Sequence, residues 1–181
     1  MSTRSAIGVF TDPHNTAWHA RYCHFDGYPS GVGQTLINEY QRAFAPDLSR
    51  LIAKLMAEKV GWSALDSRDL ALPSGWSAPS LDDNAPDAAR NPLSYTVRGE
   101  TPHNPDDGDY IESDGDTWST EYAYIFDVPR AMLYVYSHRG VWVRIGLIAV
   151  SDLGVSWDTL DDQGRYNSPL VTLPSDTDWL G

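Results

Sequence analysis

Cysteine, lysine and long apolar runs are what this chain has least of. The single cysteine, Cys23, has no disulfide partner within the chain. Covalent staples are therefore excluded as a source of stability, and a lone thiol fits a reducing compartment better than a secreted one. Lys54 and Lys59 are the only lysines among 13 basic residues, against 25 acidic ones, and the formal charge is −12. Such a molecule repels phosphate backbones and has no basic cluster to hold them, so direct nucleic-acid binding is disfavoured. The preference for arginine, with much Ala, Asp and Gly, points to a GC-rich genome. No apolar run approaches the roughly 20 residues of a membrane span. The opening MSTRSAIGVF lacks the charged, apolar and small-residue regions of a signal peptide. The expectation is a cytoplasmic protein that makes no membrane contact.

What the chain does have is enough apolar material for one core. Of its 181 residues 41% are hydrophobic, with 7 Trp and 10 Tyr. That suffices for unaided folding without a metal or cofactor and predicts a single domain over residues 1–181. The short apolar stretch Ala6 to Thr11, the turn residues Asp12 to Asn15 and the aromatic-rich stretch Ala17 to Phe25 predict an opening hairpin. After Gly33, the residues Leu36, Ile37, Tyr40 and Phe44 recur at helical spacing. Pro46 and Asp47 can open a second helix bearing Leu48, Leu51, Ile52, Leu55 and Met56 on one face, with Lys59 and Gly61 as its stop.

Periodicity disappears over about 62–92, where prolines are spread among Ser, Asp and Ala; Trp62 and Trp76 are the residues able to pin such a loop to the core. A short strand is expected at Leu93 to Arg98. A second irregular loop, about 100–118, carries Asp106, Asp107, Asp109, Glu112, Asp114 and Asp116 without a basic residue between Pro102 and Trp118. The stretches Glu121 to Asp127, Ala131 to Ser137 and Val141 to Val150 are aromatic or β-branched and joined by short links, which predicts successive antiparallel strands. The tail, about 151–181, reads as irregular with Trp157 and Trp179 as anchors. The expected fold is α+β: an antiparallel sheet of about five to six strands with two central helices packed on one face and long irregular loops.

The densest collection of chemically able groups is Tyr22 to Gly33, YCHFDGYPSGVG. Gly27, Gly31 and Gly33 permit positive φ and close backbone approach, and the helix that follows offers N–H groups and the positive end of its dipole to an anion. Strand alternation places Tyr22, His24 and Asp26 on one face and Arg21, Cys23 and Phe25 on the other. The candidate ligand-binding set is Arg4, Tyr22, His24, Asp26, Gly27, Tyr28, Gly31 and Gly33, with Arg4 and Arg21 as the cations near it. The competing reading is structural: Tyr28 to Gly31 is a tight turn that fixes where the helix starts, and His24 is a half-buried histidine with its bonds made. The segment matches neither the P-loop nor the dinucleotide fingerprint.

Catalysis would use His24 as general base and Asp26 as its partner, with Cys23 or a serine as nucleophile. Cys23 and His24 point to opposite faces of a strand, so no catalytic set is assembled by sequence neighbours alone. The acidic loop does not fit an EF-hand, because counting back from Gly108 or Gly115 places His103 or Tyr110 where an aspartate is required. The five histidines and one cysteine show no zinc spacing. No metal is expected.

At STRSAIGV (Ser2 to Val9), YCHFDGYPSGVGQTL (Tyr22 to Leu36) and EYAYIFD (Glu121 to Asp127) the sequence resembles small uncharacterised proteins of bacteriophages and bacteria, many from actinobacteria and their phages. The resemblance covers about half the chain in patches and implies an origin in a phage or prophage of a GC-rich host. It implies no activity and no catalytic residue. The functional expectation is an accessory protein that binds a host protein or a small anionic ligand through the DGYPSGVG loop and helix N-terminus. The alternatives are a hydrolase or transferase on a phosphate or carboxylate substrate using His24 and Asp26, and an acidic nucleic-acid mimic.

Overall fold

The computed structural model describes residues 3–57, 62, 64–65, 111–112 and 120–166. Two strands, β1 (Ser5–Phe10) and β2 (Trp18–Cys23), form the opening hairpin, with Ser5 opposite Cys23 and Phe10 opposite Trp18. Its turn is organised by Asp12, whose carboxylate accepts bonds from the backbone N–H of His14, Thr16 and Ala17. Those three bonds, with one from the Thr16 hydroxyl, hold the Asp12 carboxyl down at about 2.

One helical segment then runs from Pro29 to Phe44. It opens with a wide π-type turn over Pro29–Gly33, is regular over α1 (Gln34–Glu39), and widens again over Tyr40–Phe44. The second helix, α2 (Leu48–Ala57), starts where Asp47 was expected to open it: the Asp47 carboxylate accepts from the Arg50 N–H at 3.2 Å. Its apolar stripe Leu48, Leu51 and Leu55 is buried. A two-residue strand, β3 (Ile111–Glu112), precedes the meander β4 (Tyr122–Asp127), β5 (Met132–His138) and β6 (Trp142–Ala149), which is antiparallel as expected. A third helix, α3 (Trp157–Tyr166), follows.

The strands lie in the order β3-β2-β1-β4-β5-β6. The expected purely antiparallel sheet is corrected at one seam: β1 and β4 run parallel, Ser5 beside Tyr122 and Val9 beside Phe126. Each hairpin is set by its own turn, whereas the seam joins segments more than a hundred residues apart, and nothing local specifies its direction. Two further expectations are corrected. The acidic loop contains β3, which pairs antiparallel with β2, and the tail contains α3. The inward residues of α3, Trp157, Leu160, Asp161 and Gly164, recur at i, i+3, i+4 and i+7, but two of the four are Asp and Gly, so its core-facing stripe does not read as apolar. The stop at Lys59 and Gly61, the strand at Leu93 to Arg98, Trp76, Trp179 and the acidic residues of the loop other than Glu112 lie outside the described residues.

The three described helices pack on one face of the sheet. There Ile7, Tyr124, Phe126, Leu133 and Val135 meet Val32, Leu36, Ile37, Leu51, Leu55 and Trp157 in one buried cluster. The opposite face has a floor of small residues, Ala6, Gly8, Ala20 and Ala123, and aromatic walls. Across it Phe10 of β1 meets Tyr134 of β5 at 4.9 Å, and Trp18 of β2 meets Trp142 of β6 at 5.5 Å. In a flat sheet β2 and β6 would be about 19 Å apart, four spacings of roughly 4.8 Å. The sheet therefore curls strongly around this face, and the small floor residues give it room to do so. Among the described residues no helix is long and apolar enough to cross a membrane.

Candidate functional site: the turn from Tyr22 to Gly33

The end of β2 is anchored by Trp62, as expected for a residue pinning the following loop. Trp62 is almost fully buried, bridges Cys23 in parallel, donates its backbone N–H to Tyr22 and accepts from His24. Its indole N–H reaches the Leu55 carbonyl at the end of α2. Alternation along β2 carries Tyr22 and His24 to the same face, and the Tyr22 hydroxyl lies 2.8 Å from His24 Nδ1. Burial raises Tyr22 to about 12, while the Arg4 guanidinium pulls the other way. Arg4, Tyr22 and His24 thus come together.

Asp26 does not join them. It takes a left-handed φ of 55° and turns the chain, and its carboxylate lies 3.4 Å from the Tyr28 hydroxyl, whose pKa it raises. His24 and Asp26 are bonded to Tyr22 and Tyr28, not to each other, so the expected acid–base pair is not assembled. On the other face Cys23 is fully buried, and burial pushes its thiol up to about 12. At neutral pH the thiolate needed for attack is absent. Arg21 is also turned inward, and its Nε donates to the Met56 carbonyl.

Of the two ends expected of the glycines, positive φ and close backbone approach, the structure shows the second. Left-handed backbone falls on Asp26, and the one described glycine with positive φ is Gly140, far along the chain. Gly27, Gly31 and Gly33 are instead places of close approach. A Cβ on Gly27 would lie 2.8 Å from Arg4 and Thr3 backbone atoms, one on Gly31 would strike the Asp26 carbonyl oxygen, and one on Gly33 would meet the Trp157 ring at 2.8 Å. The helix also begins earlier than expected, with Pro29 in its first turn, so Gly31 and Gly33 lie inside it.

The N–H groups of this helix start are already in use. Val32 donates to Asp26, Gly31 to Tyr28 and Gly27 to Thr3, each at 2.9 Å. Ser30 donates from its backbone N–H to Asp161 Oδ1 at 2.9 Å and from its hydroxyl to Asp161 Oδ2 at 2.6 Å. The anion that the helix dipole favours is thus a carboxylate of α3, largely buried and 131 residues away in sequence. The Tyr124 hydroxyl closes the turn from below by donating to the Gly27 carbonyl at 2.8 Å. Asp161, Tyr124 and Trp157 are the residues that sequence reasoning did not attach to this segment. Only tertiary contact brings them there.

What remains outward is a small surface of His24, Phe25, Asp26 and Tyr28. Phe25 is 41% exposed, and the His24 ring stands edge-on to it at 4.4 Å. Among the described residues no group of three His, Cys, Asp or Glu side chains is placed to hold a metal ion. No family model, no curated protein and no solved structure matches this chain.

Proposed function

We propose that this is a phage-type accessory protein that binds a host protein through the surface of His24, Phe25, Asp26 and Tyr28. One observation carries the reading: a large apolar side chain, Phe25, stands exposed on a turn whose backbone is tied to Thr3, to Trp62 and to the helix start. A fixed frame presenting an aromatic group between a histidine and a carboxylate loses little conformational entropy on binding. Aromatic anchors of this kind carry a disproportionate share of interface energy. The test begins with capture from host lysate, identification of the captured protein, and reconstitution with that protein purified. Phe25→Ser should weaken the purified pair on the order of ten-fold or more without lowering the melting temperature. Unchanged affinity in the variant would refute the assignment.

The small-anion version of this reading rests on Arg4 and His24, because Asp161 occupies the helix start. Stabilisation by phosphate or nucleotides in a thermal-shift screen supports it, and no stabilisation removes it. The hydrolase or transferase alternative has weaker support, since His24 and Asp26 bond to different partners. The nucleic-acid mimic depends on the carboxylates from Asp106 to Asp116, which with the exception of Glu112 lie outside the described residues.

A further inference from the structure

The helix α3 is held differently from α1 and α2, which bury Leu36 and Ile37, and Leu48, Leu51 and Leu55. Of the residues α3 turns inward, Trp157 is buried and Leu160 half-buried, while Asp161 and Gly164 add no apolar side chain to the core. Its contacts fall on three glycines. Gly33 of the first helical segment lies against Trp157 and Gly146 of β6 against Leu160. Gly164 of α3 itself rests on Tyr122, where an added Cβ would come within 2.5 Å of the hydroxyl. Polar ties complete the hold: Asp161 takes two bonds from Ser30, and Arg139 donates to the Gly164 and Arg165 carbonyls at the end of the helix.

The six strands pair in one sheet without α3, so its departure leaves each strand ladder in place. A helix of 10 residues is marginal in water by itself, so α3 melts as it leaves and its amides open together. An element with few buried apolar side chains is the kind that opens below the free energy of global unfolding. What it leaves behind is the turn of the candidate site. Ser30 gives both its backbone N–H and its hydroxyl to Asp161, and on its C-terminal side Gly31 and Val32 close the turn by donating to Tyr28 and Asp26. One position further, Gly33 stands between the rings of Trp157 and Tyr124, and the Tyr124 hydroxyl holds the Gly27 carbonyl. The helix thus braces the segment that carries Asp26 and Tyr28.

We propose that α3 is a separately opening brace: it undocks as a unit while the sheet stays intact, and the turn from Asp26 to Val32 loosens when it does. The consequence for regulation rests on the reading of the Phe25 surface as a binding surface. A partner that binds only the ordered turn holds α3 down by the same factor by which docked α3 strengthens that partner's binding. The coupling itself belongs to the free protein and is measured without a partner. Its failure leaves the binding assignment standing, and failure of Phe25→Ser to weaken binding leaves the coupling standing.

Native-state hydrogen exchange of the full chain at a series of low urea concentrations tests it. In the unmutated protein the amides from Asp161 to Arg165 should share one protection factor, roughly ten-fold or more below the slowest amides of β4 and β5. Their dependence on urea should be weaker, because undocking one helix exposes less surface than unfolding the chain. The amides of Ser30, Gly31 and Val32 should open with them. Leu160→Ala removes packing on Gly146 and leaves the Asp161–Ser30 bonds in place, so it should speed both sets of amides alike, by roughly three- to thirty-fold. Gly164→Ala, which drives a Cβ into Tyr122, should act the same way and serves if the first variant folds poorly. Amides of α3 that exchange as slowly as those of β4 and β5, with the same urea dependence, would overturn the proposal. So would a variant that speeds α3 and leaves the amides of Ser30, Gly31 and Val32 at their unmutated rates.

Discussion

Replacing Asp161 by alanine tests the internal cap on the helix start. The carboxylate is 7% exposed and accepts two bonds from Ser30, one from the backbone N–H and one from the hydroxyl. Its loss leaves a partly buried N–H without an acceptor, which costs about 1–3 kcal/mol. It also removes a negative charge from the positive end of the helix dipole, worth about 0.3–1 kcal/mol. Alanine returns up to about 0.6 kcal/mol because it favours α3 more than aspartate does. Since Ser30 is only half-buried, the low end of the first term applies, and the expected net loss is about 0.7–2 kcal/mol. Asp161→Asn keeps an oxygen for the N–H but not the charge, and should lose about 1 kcal/mol. Ser30→Ala removes only the hydroxyl bond, and the double variant should be less destabilised than the sum by about 1 kcal/mol. Urea unfolding followed by tryptophan fluorescence compares the four variants with the unmutated protein, with Trp157 on α3 as a reporter close to the change. A loss below about 0.5 kcal/mol for Asp161→Ala, the range of an ordinary surface substitution, would refute the cap. Strict additivity with Ser30→Ala would refute it equally.

Two further outcomes follow from protonation states. Cys23, raised to about 12 by burial, should resist a thiol-specific disulfide reagent at pH 8 in the native protein and react stoichiometrically once urea unfolds it; rapid labelling without denaturant would contradict its placement. Asp12 has a folded pKa of about 2, below its ordinary 3.8, so its stabilising contribution is complete above pH 4 and is lost as pH falls from 4 toward 2. The stability gap between the unmutated protein and Asp12→Ala should therefore shrink across that window, and a gap that is the same at pH 5 and pH 2 would show that the turn does not depend on the ionised carboxylate.

The Tyr22 to Gly33 segment shows how far local reading reaches. Alternation correctly separated Cys23 from His24 and put His24 with Tyr22, because side-chain direction along a strand is a property of the backbone itself. It failed at Asp26, where the chain leaves the strand through left-handed backbone and alternation no longer applies. The glycines were noticed for the right reason, close approach, but what approaches them is the protein: Arg4 and Thr3 at Gly27, Asp26 at Gly31 and Trp157 at Gly33.

By itself the sequence determined the α+β class, the opening hairpin, the stripe of α2, the Asp47 cap and the antiparallel meander. Each of these rests on interactions between residues close in the chain: turn chemistry, helical spacing and alternation. The tertiary structure alone decided that β4 lies parallel to β1, that the sheet curls until Trp18 touches Trp142, and that Asp161 fills the start of the first helix. Those contacts join segments more than a hundred residues apart. Their partners are chosen by burying a whole surface at once, and no local pattern records that choice.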